Sequence, residues 1–164
     1  MNQSEIEKLL QAWIVDFVSK PNSLLNNWAP CPYARQALAN QKTITVFSDV
    51  DKLFDTVEKN LVLLEYKDVV IVCFDHTAIT ADNLVKLVTE HNQILMPRDY
   101  VILEDHPNNL EILNGVQMNF GHCGLLLVSK LSVLNTASQH LRSKGYYDHW
   151  PKENLDAVVT WRFQ

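Results

Sequence analysis

The sequence predicts a mixed α/β domain, on three observations. Two runs rich in β-branched residues stand out, Thr43-Ile44-Thr45-Val46-Phe47 and Asp68-Val69-Val70-Ile71-Val72-Cys73-Phe74. Apolar residues recur at helical spacing between and beyond them, and short apolar runs return at Tyr100-Val101-Ile102-Leu103 and Leu125-Leu126-Leu127-Val128. The predicted order is an N-terminal helix followed by β-α-β-α-β-β-α. This gives a single-domain mixed sheet of three parallel strands plus an antiparallel edge, with flanking helices. Residues 1–164 form one domain, with 1–42 a helical segment packed on the sheet; 164 residues at 47% apolar content suffice for one core.

The elements follow in order. Ile6, Leu9, Leu10, Trp13, Ile14, Phe17 and Val18 share one helical face; Ser4 and Glu7 are the expected capping box, and Lys20-Pro21 the stop. Asn22 to Pro30 reads as a loop pinned by Leu24, Leu25 and Trp28. In Pro30-Cys31-Pro32-Tyr33-Ala34-Arg35 the two prolines restrict the backbone, so Cys31 reads as an N-cap and Pro32 as the first residue of a short helix ending at Asn40. The first strand is followed by Ser48-Asp49 as a cap and by a helix carrying Val50, Leu53, Phe54, Val57 and Leu61. The second strand, apolar on both faces, leads to a helix over Ala81–Leu95 capped by Thr80, with His91 at the boundary of its apolar stripe.

After Tyr100–Leu103 a polar loop runs to Asn114-Gly115, and alternation at Val116, Met118 and Phe120 suggests a short strand. Gly121-His122-Cys123-Gly124 turns the chain into the last strand. Leu131, Leu134, Ala137 and Leu141 mark a helix stopped at Lys144-Gly145, and Pro151 begins another. Tyr146-Tyr147-Asp148-His149-Trp150 between them reads as core packing or as a partner surface.

Composition narrows the functional classes. Fourteen basic and nineteen acidic residues give a net charge of -5 with no basic cluster, which argues against nucleic acid. The longest apolar run, Val69 to Phe74, is too short for a bilayer, and Glu5 and Glu7 stand where a signal peptide needs positive charge. Three cysteines, Cys31, Cys73 and Cys123, fit a reducing compartment without a disulfide framework, so a cytoplasmic location is expected.

The chemistry is expected at two places. In open α/β sheets ligands bind beyond the carboxyl ends of parallel strands, here Ser48-Asp49, Asp75-His76 and Glu104-Asp105-His106. Asp75, His76, Asp105 and His106 could act as acid and base, and His76, Asp105 and His106 could hold a divalent metal, the candidate cofactor. Equally, the acids read as caps and turn formers. Cys31, facing free helical amides with Arg35 one turn on, is the candidate nucleophile with a lowered pKa, or else a small buried residue.

Cys31-Pro32-Tyr33-Ala34 looks like a glutaredoxin motif without its second cysteine, and minimal thioredoxin-like domains share the β-α-β-α-β-β-α order. That motif follows the first strand in glutaredoxins, whereas Cys31 precedes it here. The chain also resembles an uncharacterised bacterial family marked by Asn-Leu-Cys-Pro-Phe-Ala after a tryptophan-bearing helix and by a later His-Pro pair. Trp13, Cys31-Pro32-Tyr33-Ala34 and His106-Pro107 carry that resemblance over the first two thirds of the chain; Ala29-Pro30 before the cysteine and the C-terminal third depart from it. It implies a shared domain shape and no activity.

Two readings result. In one, the protein is a thiol- or metal-dependent enzyme acting on a small molecule at the carboxyl ends of the parallel strands. In the other, it is a non-catalytic binding or oligomerisation module, with homo-oligomerisation open in both.

Overall fold

The structure, a computed structural model, describes residues 1–163. Helix α1 (Gln3–Trp13) opens two residues earlier than the Ser4 signal indicates. The Asn2 side chain accepts from Glu5 N at 2.9 Å, and the Glu5 carboxylate accepts from Asn2 N at 2.8 Å, so the capping box is Asn2/Glu5. The helix then widens into a π-turn, Ile14–Val18, closed by Ser19 N on the Ile14 carbonyl. The following loop is held by Leu25 and Trp28, whereas Leu24, also expected to pin it, is exposed. Asn22 N donates to Trp28 O, Leu25 is buried, and Asn26 and Asn27 take the left-handed conformations the tight turn needs.

Short α2 (Ala34–Ala39) leads to β1 (Thr43–Phe47), then α3 (Leu53–Asn60), β2 (Val69–Phe74), α4 (Ala81–Leu95) and β3 (Tyr100–Asp105). The hairpin strands β4 (Ile112–Leu113) and β5 (Val116–Gln117) precede β6 (Gly124–Lys130), α5 (Leu131–Ser143) and α6 (Lys152–Val158). Asn114 and Gly115, at φ 50° and 82°, form the two-residue turn of that hairpin. An Asn-Gly pair is the strongest local signal for such a turn, and the loop reading missed it.

The sheet order is β1-β2-β6-β3. β1 and β2 pair in parallel, whereas β6 pairs antiparallel with both β2 and β3. The mixed sheet is therefore as expected, but it holds one parallel pair rather than three parallel neighbours, and the antiparallel strand is internal rather than an edge. Composition explains the placement: Leu125, Leu126 and Val128 are at most 1% exposed, as a strand apolar on both faces must be.

One face of the sheet carries Val70, Val72, Phe74, Ile102, Leu126 and Val128 against Leu53 and Val57 of α3 and Leu84, Val88 and Leu95 of α4. The other carries Ile71, Cys73 and Leu125 against Leu10 and Ile14, with Phe120 and Cys123 completing the layer. Val85 and Ile94 of α4 are exposed. His91 is a boundary residue, stacked on Phe54 with ring centroids 3.4 Å apart. The C-terminal aromatic run is packed rather than presented: Tyr146 and Tyr147 are buried with Leu141 and Val159, and Trp28 and Trp150 lie against them.

Among the described residues no helix is long and apolar enough to cross a membrane.

Candidate functional site

β3 runs on through Glu104 and Asp105, so these acids belong to the strand rather than to a loop beyond it. Asp105 stands opposite Leu125 of β6 and is held from two sides. Its Oδ1 accepts from Asn119 Nδ2 at 2.7 Å and its Oδ2 accepts from the Phe120 amide at 2.8 Å. Burial pushes its pKa up while these donors pull it down. Asn119 in turn accepts from Glu111 N and donates to Asn109 O. The Asp105-Asn119 pair thus fastens the excursion between β3 and β6 to the sheet.

His106 is 2% exposed. Its Nε2 lies 3.1 Å from the His76 carbonyl and 2.9 Å from the Ile79 carbonyl, while Nδ1 accepts from Asn108 N at 3.1 Å. Those partners assign the hydrogen to Nε2 and leave neither nitrogen free for a metal. The imidazole closes the turn between β2 and α4 against the end of β3.

Asp75 caps that turn. Its Oδ1 accepts from the amide and the hydroxyl of Thr77 at 2.9 and 2.7 Å, and these bonds hold its carboxyl below the usual range. His76, half-buried, does approach His106, ring centroids 5.7 Å apart and edge to face. The fold therefore brings the two Asp-His pairs together, but as mutual supports of two turns. The expected metal set of His76, Asp105 and His106 is not assembled: among the described residues no three His, Cys, Asp or Glu side chains are grouped to hold an ion.

Cys31 lies elsewhere. Its amide donates to Val18 O, tying the turn to the end of the π-turn, and the neighbouring Ala29 and Pro30 carbonyls accept from the Tyr146 hydroxyl at 3.3 and 2.5 Å. It does not cap α2; that helix begins at Ala34 with Tyr33 in the cap position, and its six residues carry little dipole. The thiol receives hydrogen bonds from the Tyr33 and Ala34 amides, which lower its pKa, but the atoms crowded around the sulfur outweigh them and push it up. Because the residue is exposed, solvent limits that push. The direction is still opposite to that of an activated nucleophile.

Cys73 and Cys123 are buried against each other beneath α1. The hydrogen bond that the Cys73 thiol donates to Cys123, followed by burial, pushes Cys73 up. Glu104 and Glu111, both half-buried, are also raised by burial, with Asp105 adding to each.

Two clefts lie away from these groups. One of about 250 Å³ runs between α1 and the β1 side of the sheet, lined by Glu7, Gln11, Leu38, Thr43, Thr45 and Ile71 over an apolar floor. A second, of about 170 Å³, lies near Lys42, Tyr66 and Lys130.

The two edges of the sheet differ in a way the sequence reading missed. At the β3 edge, Asn92 of α4 donates to the Ile102 carbonyl at 2.9 Å and accepts from the Ile102 amide at 2.8 Å. The signal was an Asn on the apolar stripe of a helix, four residues after Val88. At the β1 edge Ser48 N donates to Cys73 O and Val69 N to Lys42 O. Even-numbered positions therefore face β2, and the backbone groups of Thr43, Thr45 and Phe47 face outward. Among the described residues none bonds them. Compared with known protein families, curated proteins and solved structures, the chain shows no match.

Proposed function

We propose that this protein is a non-catalytic binding or oligomerisation module rather than a thiol- or metal-dependent enzyme. The observation that supports this reading is how its polar groups are employed. Asp75, Asp105 and His106, the acids and imidazole expected to do chemistry, hold turns and strand ends together. Meanwhile β1 ends the sheet as a half-exposed strand of Thr, Ile, Val and Phe beside an open cleft. Main-chain groups at such an edge recognise another extended chain, and the alternate side chains select it.

Elemental analysis of the purified protein, together with the pH dependence of Cys31 alkylation in a Cys73→Ala/Cys123→Ala background, tests the reading. The expected result is far less than one metal ion per chain and a Cys31 thiol that is not ionised at neutral pH. Stoichiometric metal, or a thiol already ionised at neutral pH, overturns it in favour of the enzyme.

A further inference from the structure

We infer that the partner of the β1 edge is a second copy of this chain, joined antiparallel across a twofold axis at Thr45. The inference deepens the binding-module reading and rests on it. β1 is terminal in the sheet order, and all five of its residues are half-buried. Natural sheets protect such edges with Pro, bulges, charged residues or a covering group. β3 has that protection in Asn92, whereas β1 contains no charged residue and no Pro between Thr43 and Phe47.

The strand is complementary to itself in one orientation. Thr43, Thr45 and Phe47 each turn one N–H and one C=O outward, symmetrically about Thr45. An antiparallel partner therefore sets Thr45 against its own copy and Thr43 against Phe47, closing about six interstrand hydrogen bonds. Charge agrees with that orientation. Lys42 and Lys67 stand at the amino end of the strand with Asp68 beside them, the two lysines donating through Nζ to Tyr66 O and Gln41 O, and Asp49, Asp51 and Lys52 follow its carboxyl end. Asp49 is only loosely paired, with Lys52 at 4.0 Å. In the antiparallel dimer the cationic end of each strand meets the anionic end of the other, whereas a parallel pairing sets like charges together. Two four-stranded sheets then join into one, with the α1 clefts on either side of the axis.

Sedimentation velocity from low micromolar to submillimolar concentration reads the dimer. Thr45→Pro removes the central outward N–H, which no group among the described residues uses, so the monomer folds while the dimer loses two bonds. Its dissociation constant is expected to rise about tenfold or more. Lys42→Glu and Asp49→Lys should each weaken the dimer and their combination restore it, a result that stands even if Thr45→Pro fails to fold. A chain that stays monomeric throughout, or a dimer indifferent to Thr45→Pro and to the charge exchange, overturns the inference. The two proposals fail separately. A metal-free monomer with an inert Cys31 removes only the self-pairing, and a β1-paired dimer with stoichiometric metal removes only the module reading.

Discussion

Asn92 and Ile102, ten residues apart, are joined by two hydrogen bonds in which the side-chain amide takes the place of a neighbouring strand. Asn92 is 5% exposed, and the arrangement satisfies both its polar ends and the outward backbone of Ile102 in one contact. It covers the middle of the β3 edge, whereas no side chain among the described residues does the same for β1.

Replacing Asn92 by Ala exposes that arrangement to test. Two buried backbone groups of Ile102 lose their partner, so stability should fall by about 2–3 kcal/mol. Urea unfolding should show a lower midpoint with an unchanged slope, and amide exchange at Ile102 should accelerate.

His106→Leu discriminates support from catalysis. The imidazole bridges the His76 and Ile79 carbonyls and accepts from Asn108, so its loss leaves three part-buried backbone groups without their partner. A drop of about 2–4 kcal/mol in unfolding free energy is expected, with amides of residues 76–79 losing protection first. Unchanged stability would count against the structural role assigned here.

Gly124 is required by its neighbour rather than by its backbone angles. A Cβ at that position would stand 2.2 Å from the Phe74 ring, across the β2–β6 pair. Gly124→Ala should therefore destabilise by about 1–3 kcal/mol, and Phe74→Leu in the same chain should recover part of the loss. Thermal unfolding of the two variants decides it.

The pH dependence has two opposed parts. Burial raises Glu104, so the folded chain holds this proton more tightly than the unfolded chain does. Its contribution is most favourable below the unfolded value of about 4.3 and is lost as pH rises towards the folded value. Asp75 and Asp99, lowered by Thr77 and Ser132, act in the other sense: they stabilise above the unfolded value of about 3.9 and lose that effect as pH falls. Glu104→Gln should thus be more stable than the native chain at pH 7, with the gain vanishing in acid. Denaturation midpoints across that range read the effect.

The elements legible in the sequence were those set by near neighbours. The span Ala81–Leu95 and its Thr80 cap, the β-branched strand Thr43–Phe47 and the stop at Gly145 follow from side-chain periodicity, capping chemistry and a positive φ. The Asn2/Glu5 capping box and the Asn114-Gly115 hairpin were equally local, and a closer reading of turn and cap chemistry finds both.

The sequence by itself determined an α/β chain with helices on a mixed sheet, because each element buries an apolar stripe or face whatever its neighbours are. Only the tertiary structure decided that β6 enters between β2 and β3, and with it which polar groups are spent on the fold. Asp105 reaches Phe120 and His106 reaches Ile79 across stretches of chain over which no sequence pattern repeats. A buried donor or acceptor is bonded by whatever the strand order brings within 3 Å, so the roles of these residues followed from topology and not from their spacing along the chain.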